Sequence, residues 1–274
     1  MPELPEVEVI RQGLAPHLAG RQVTGFASSN LPLRLPLPTA ELRHRIVGHR
    51  VRATGRRGKY LLLEMDNHAL LVLHLGMSGK LGLFAELEEP RRHDHFRLRL
   101  DNGMELRLND TRRFGSVQVF ADAALDRHPP FADLGPEPFS AQFSTKHLQH
   151  RAGSRKQPLK NFLMDSHNVV GIGNIYASEI LFGTGLAPTT PAGALTRDQW
   201  EKIIKETRRV LARAIECGGT TIADFVNSRG EAGSFQVELA VYGKANAPCP
   251  RCRSAIVRTV MAGRATFHCP TCQP

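Results

Sequence analysis

Two cysteine pairs, Cys249-Pro-Arg-Cys252 and Cys269-Pro-Thr-Cys272, stand sixteen residues apart near the end of the chain, and no other feature restricts the fold as tightly. Each C-x2-C pair can present two thiolates from one tight turn, and four thiolates complete a tetrahedral Zn2+ shell at about 2.3 Å. Two disulfides or a redox pair are the alternatives. The N-terminus lacks a charged-then-apolar leader pattern, so we expect a cytoplasmic chain, in which disulfides are disfavoured. The expectation is therefore one structural zinc held by Cys249, Cys252, Cys269 and Cys272. With no open coordination position, the ion would fold the unit and take no part in chemistry. Cys217, the fifth cysteine, reads as an inert buried thiol. Between the pairs, Ile256 to Val260 and Ala265 to His268 can form a hairpin with Arg264 at or near its tip. There Arg264 is either an exposed turn residue or a phosphate contact, and spacing does not choose between them.

The charge balance narrows the partners. Lys plus Arg is 36 against 26 for Asp plus Glu, a net charge of +10. Arg43 to Lys59 holds seven Lys and Arg residues and no acid. Pro138 to Met164 and Leu239 to the end are likewise basic and acid-free. Three such stretches predict one basic groove for a polyanion, with nucleic acid the expected partner. At 274 residues and 41% hydrophobic, the chain can bury a core and hold two or three domains. Its longest apolar runs, such as Ala69 to Leu75, are too short for a bilayer span, so no membrane partner is expected.

Periodicity sets the organisation. Pro5 to Leu18 reads as an amphipathic helix through Val7, Ile10, Leu14 and Leu18. Lys59 to Met65, Ala69 to Leu75 and Ser116 to Phe120 read as strands, and Phe96 to Leu108 reads as a hairpin around Asp101-Asn102-Gly103. The first ~125 residues thus predict an antiparallel β-sandwich carrying a helix. Prolines at 129, 130, 136 and 138 mark a linker, beyond which helices are expected around Ala141–Gln149, Leu159–Asp165, Ile175–Phe182 and Thr196–Cys217. The divisions are 1–130, 131–238 and 239–274.

The chain begins Met1-Pro-Glu-Leu-Pro-Glu-Val-Glu. Proline and acids in a first helical turn account for Pro5, Glu6 and Glu8. They leave Pro2 and Glu3 unexplained.

With PELPEVE at 2–8, GKYLLLE at 58–64, HLGMSG at 74–79, HDH at 93–95, RRFG at 112–115, LGPEP at 134–138, LMD at 163–165, VGIGNIYASE at 170–179, GGTT at 218–221 and the four cysteines, the whole chain closely resembles the bacterial formamidopyrimidine-DNA glycosylase family. The resemblance implies a multidomain α+β fold: an N-terminal antiparallel β-sandwich with a flanking helix, a helix–two-turns–helix domain, and a C-terminal zinc-finger hairpin. Damaged double-stranded DNA would lie in the cleft between the two halves of a monomer in the bacterial cytoplasm.

It also implies a role for the first residues. Once the initiator methionine is removed, the secondary amine of Pro2 would attack C1′ of the damaged nucleotide. An α-amino group, with a pKa near ~8 against ~10.4 for lysine, is far less protonated at neutral pH. The resulting iminium is cationic, acidifies the C2′ proton and drives strand cleavage. By resemblance Glu3 is the general acid and Lys59 assists β-elimination. Arg264 would clamp phosphate and assist δ-elimination electrostatically, since a guanidinium does not give up its proton. Glu6 either contacts the sugar or only stabilises the helix terminus. Met77, Arg112 and Phe114 form the implied wedge that fills the stack as the nucleotide leaves it. Thr111 stands where many relatives have proline, which bears on the loop's conformation and not on the wedge. His93, Arg155, Lys160 and Asn174 are the implied phosphate contacts. Asn174 follows Gly171-Ile-Gly173 at a helix start, where N–H groups favour an anion. Ser228 to Phe235 matches the segment that covers the extruded base in relatives.

The activity implied is a bifunctional DNA glycosylase/AP lyase acting on 8-oxoguanine and formamidopyrimidines. An endonuclease VIII-like enzyme for oxidised pyrimidines typically starts PEGPE and lacks the MSG and RRFG motifs. A non-catalytic zinc-ribbon DNA-binding protein would give Pro2 and Glu3 no role.

Overall fold

The computed structural model describes residues 1–29, 31–218 and 238–274, with the backbone of 225–226. Ser228 to Phe235 therefore lies outside the described residues. The chain forms two compact units, Met1–Ala132 with Cys217–Gln236, and Asp133–Glu216 with Val237–Pro274.

In the first unit, helix α1 (Leu4–Leu18) precedes strand β1 (Val23–Ser28), and a short helix α2 (Thr39–Glu41) runs into a π turn at Leu42–Ile46. The strands β2 (Val51–Arg57), β3 (Tyr60–Met65), β4 (Leu70–His74), β5 (Gly79–Ala85), β6 (Asp94–Leu100), β7 (Met104–Asp110) and β8 (Ser116–Phe120) follow. One sheet is ordered β2-β3-β4-β8 and is antiparallel throughout. The other is ordered β1-β6-β7-β5-β9, with the short β9 (Phe225–Val226) parallel to β5. A single core joins both sheets to the apolar stripe of α1: Val7, Ile10, Leu14 and Leu18 pack with Leu61, Leu63, Leu71, Leu73, Phe96, Leu98 and Leu106. This is the sandwich with a flanking helix expected above. Strands β1, β2, β5 and β9 add to the strands expected from the sequence.

Strand β2 alters the meaning of the first basic stretch. Pairing with β3 sets Arg52 beside Glu64, and packing against α1 sets Arg56 Nε 3.2 Å from Glu8 Oε2. Arg50 meets Asp101 at 3.2 Å and His49 meets Asp66 at 2.9 Å. Arg50, Arg52 and Arg56 thus meet acids distant in sequence, which offsets part of the charge of this stretch. Glu8 joins α1 to β2. Burial pushes its carboxyl up, but hydrogen bonds from Arg11 and Gln12 outweigh this and hold it below the usual range.

The second unit holds α3 (Thr145–Ala152), α4 (Leu159–Met164), α5 (Asn174–Thr184), α6 (Arg197–Glu216) and the hairpin β10 (Val257–Met261) and β11 (Arg264–His268). Helix α3 starts later than the expected Ala141. Arg208 donates to the carbonyls of Pro138, Ser140 and Phe143, holding that segment as a turn, and Ser144 Oγ then caps the helix by accepting from His147 N–H. The turns between α4 and α5 centre on buried Asn168: Nδ2 donates to Phe162 O at 2.9 Å, and Oδ1 accepts from Arg151 Nε at 3.0 Å. Helices α5 and α6 approach so closely that a Cβ at Gly183 would lie 1.8 Å from the Glu206 carboxylate.

Candidate active site

Glu3 is the N-cap of α1, and Pro2 and Glu3 are both buried. The Glu3 N–H donates to Glu6 Oε2 at 2.9 Å in a capping-box arrangement. Glu6 is buried as well, so in this structure it acts on the helix terminus and fixes the backbone of Glu3. The capping box thus fixes the Glu3 backbone next to Pro2.

Lys59 occupies the two-residue β2–β3 turn after Gly58, which takes φ +55°. The next residue, Tyr60, is in register with His74 on β4, their rings 4.7 Å apart. Burial first, then the positive charges of Lys59 and Arg34, push His74 down to about 4. It is therefore neutral at pH 7. Because its Nδ1 accepts the Gly76 N–H at 3.0 Å, Nε2 carries the proton and is a donor. Sequence reasoning did not single out His74. Its place inside HLGMSG was visible, but its desolvation beside two cations was not.

Met77 lies on the β4–β5 turn and is 46% exposed; Phe114 lies on the β7–β8 turn and is 42% exposed. Neither belongs to the core. Arg112 is exposed on the same turn, its guanidinium carbon 4.7 Å from the centre of the Phe114 ring. His93 sits in the β5–β6 connection. Beneath that connection, buried Arg107 donates Nε to Glu105 at 2.9 Å and Nη2 to Ala85 O at 3.2 Å.

In the second unit Arg264 flanks the hairpin tip opposite Met261 and is exposed. Ala262 and Gly263 between them take φ of +46° and +72°, as a two-residue turn of the I′ kind requires. A groove beside the tip is lined by Gln157, Asn161, Asp165 and Arg264 among others. Lys160, read above as a phosphate contact, is buried. Its Nζ donates to Asn174 Oδ1 and Thr266 Oγ1 at 2.6 Å each and to Ala265 O at 3.2 Å. Asn174 Nδ2 also reaches Ala265 O, at 2.9 Å. Lys160 and Asn174 thus fasten the hairpin to α4 and α5. Arg155 is exposed after α3.

The four cysteine sulfurs lie within 4.8 Å of one another, with Cys249–Cys272 at 3.9 Å and Cys252–Cys269 at 3.4 Å. These separations are far from a disulfide and near the ~3.8 Å edge of a tetrahedron with ~2.3 Å zinc–sulfur bonds. The donor set asks for a cation. Hydrogen bonding to Cys252 and then burial push Cys272 up to about 12, so the bare cluster keeps a proton that a divalent ion would displace. The residues fit one structural zinc.

Comparison with known proteins agrees along the chain. Residues 1–117 match the formamidopyrimidine-DNA glycosylase N-terminal domain, 134–226 the H2TH domain of the same family, and 247–274 a zinc finger found in FPG and IleRS. A formamidopyrimidine-DNA glycosylase of Legionella pneumophila is 45% identical over 100% of this chain and 99% of its own length. That of Shewanella loihica is 44% identical over 100% of both. The crystal structure of the MutM (Fpg) protein from Thermus thermophilus superposes with a TM-score of 0.87 at 37% identity, covering 99% of this chain and 98% of that one. A Lactococcus lactis Fpg bound to Fapy-dG-containing DNA gives 0.88 at 30% identity over 99% of both. Fold and site together define a DNA glycosylase of base excision repair. The chain belongs to the formamidopyrimidine-DNA glycosylase family, in which AP lyase activity is typical.

Proposed function

We propose that this chain excises oxidised purines, 8-oxoguanine and formamidopyrimidines, from duplex DNA through a Schiff base on Pro2, and then cleaves the strand by β,δ-elimination. The observation that carries the reading is the Pro2-Glu3 pair held buried at the start of α1 by Glu6. After removal of Met1, the Pro2 nitrogen lone pair attacks C1′ and the C1′–base bond breaks, its electrons leaving with the base. Glu3 donates a proton as the sugar opens to the iminium. Loss of the C2′ proton then expels the 3′ phosphate, with Lys59 assisting. A second elimination expels the 5′ phosphate, with Arg264 holding phosphate charge. Met77, Arg112 and Phe114 fill the vacated stack. His93 and Arg155 contact the backbone directly, while Lys160 and Asn174 support the hairpin. The working divisions are 1–130, 131–238 and 239–274, in a monomer of the bacterial cytoplasm. No helix among the described residues is long and apolar enough to cross a membrane.

One observation favours a wider substrate range: a Lactococcus lactis Fpg, 30% identical to this chain, has been solved with oxidised-pyrimidine-containing DNA. Borohydride trapping on duplexes carrying 8-oxoguanine or an oxidised pyrimidine tests both readings. We expect a covalent adduct on Pro2, formed faster on the purine, and none when Met1 is retained. An adduct mapped to a lysine would overturn the nucleophile, and equal rates on both lesions would overturn the purine preference.

A further inference from the structure

Met77 and Phe114 stand on separate turns, far apart in sequence, yet a wedge that enters the DNA stack must hold both in one geometry. Beneath them lies a single carboxylate. Asp110 is fully buried. Its Oδ1 accepts from Ser78 Oγ at 2.6 Å and from the Arg112 N–H at 3.2 Å, and its Oδ2 accepts from the Gly115 N–H at 2.7 Å. Ser78 Oγ in turn accepts from the Arg112 N–H at 3.1 Å, so this one hydroxyl belongs to both turns.

The backbones also meet. A Cβ at Gly76 would lie 2.4 Å from the Phe114 carbonyl carbon, so only glycine, here at φ +61°, permits the approach. Between Arg112 and Phe114, Arg113 takes φ +57° and its Nη1 donates to Pro32 O at 3.2 Å. The strained turn is thereby tied to the segment behind it. Among the described residues Asp110 makes no ion pair: N–H and O–H dipoles meet its oxygens, and the nearby His95 imidazole, which feels its charge, is pushed down by burial and so is not a paired cation. A buried carboxylate with no paired cation is a poor device for stability alone. Among the described residues, every group that donates to its side chain belongs to one of the two wedge turns.

We propose that Asp110 and Ser78 are positioning residues that lock the Met77 turn and the Arg112–Phe114 turn into one rigid wedge, so that both enter the stack together. This rests on the wedge reading given above. The test compares single-turnover excision from an 8-oxoguanine duplex with cleavage of an abasic duplex, in the full-length protein. Ser78→Ala is expected to slow excision roughly tenfold, equivalent to a coupling of about 1.4 kcal/mol, and to slow abasic cleavage less. Ser78→Thr, which keeps the hydroxyl, restores the rate. In a Phe114→Ala background, Ser78→Ala has little further effect, because the wedge is already lost. Asp110→Asn turns a donor toward the Gly115 N–H and has the same selective effect; if it fails to fold, the Ser78 pair of variants decides. Independent, additive losses from Ser78→Ala and Phe114→Ala, or an unchanged rate in Ser78→Ala, overturn the coupling while leaving the wedge intact. Equal losses on both substrates from Phe114→Ala overturn the wedge reading itself.

Discussion

Two stretches of this chain look alike in sequence and behave oppositely in the fold. Residues 43–59 and 239–274 are both basic and free of acids. In the first, Arg52 and Arg56 meet carboxylates on β3 and α1, and Arg50 and His49 meet Asp101 and Asp66 in the turns that follow β6 and β3. In the second, Arg258 and Arg264 stand exposed on a two-stranded hairpin and make no ion pair among the described residues. The difference lies in what each element packs beside. Strand β2 acquires acidic neighbours from β3 and α1, whereas the hairpin meets neutral or cationic partners such as Asn174 and Lys160. A run of cations therefore predicts a polyanion site only where the fold leaves it beside no carboxylate.

The largest effect should come from removing what holds the unpaired cations in place. The apolar cluster around the hairpin is small, comprising Phe182, Val241, Ile256, Phe267 and two of the cysteines. We expect zinc to carry much of the unit's stability, since structural zinc contributes about 10–16 kcal/mol in zinc-finger peptides. Cys252→Ser is expected to release zinc and to lower affinity for damaged duplex on the order of 10³-fold, while the sandwich unit keeps its own unfolding transition. Metal analysis with fluorescence anisotropy checks this. Undiminished binding by metal-free protein would break the contrast.

Next in size is a pH effect at the far end of the first stretch, where the charge of Lys59 is felt by His74. His74 is held near 4 when folded, by burial and then by Lys59 and Arg34. An unfolded histidine titrates near ~6.5, so between these values the unfolded chain binds a proton that the folded one refuses. Stability is thus complete above ~6.5 and is lost as pH falls toward 4, by about 2 to 3 kcal/mol for this group. Urea unfolding at pH 7 and pH 4.5 should show this loss in the wild type and a smaller one in His74→Gln. The same loss in both proteins would place the sensitivity elsewhere.

The contrast also marks what the sequence makes legible. Strands β3, β4, β6, β7 and β8 are readable because their apolar residues are dense or alternate, and the cysteine spacing defines the metal site without further help. Strand β2, spelled Val-Arg-Ala-Thr-Gly-Arg-Arg, is an edge strand that buries little beyond Val51, so it carries no alternation to read. Strand β5 holds Gly79 and Gly82, which read as loop. Gly79 is required because a Cβ there would lie 2.2 Å from Leu75 O, a constraint only the folded turn reveals. Lys160 resembles a phosphate contact in sequence, but its burial is decided by Ala265 and Thr266, more than a hundred residues on. The resemblance names Met77 and Phe114. The carboxylate and hydroxyl beneath them become visible only when the two turns are brought together.

A smaller effect isolates the unpaired arginine. Arg264→Ala removes one exposed cation while leaving the zinc unit folded. If Arg264 meets a phosphate, the slope of log K against log salt should become shallower by about 1, with affinity lowered by a similar amount for all sequences. An unchanged slope would mean that the hairpin tip does not reach the backbone.

The smallest effect is expected from Arg52→Ala, which provides the sharpest control. Arg52 and Arg264 are both exposed arginines within acid-free stretches, so a reading of charge from sequence treats them as equivalent. The fold does not, because Arg52, at the bulge beside the Ala53–Glu64 pair of the β2–β3 ladder, makes an ion pair with Glu64. A DNA phosphate approaching Arg52 would have to compete with a carboxylate already in place, and the pair presents almost no net charge to a distant polyanion. Breaking it costs little, since an exposed ion pair contributes about 0.2–1 kcal/mol. We therefore expect Arg52→Ala to leave the salt slope of DNA binding unchanged and to lower the unfolding free energy by at most ~1 kcal/mol. Measured in the same salt titration as Arg264→Ala, the two variants should separate cleanly. If Arg52→Ala makes the slope shallower by as much as Arg264→Ala does, Glu64 does not neutralise it. The first stretch would then belong to the DNA-binding surface despite its ion pairs.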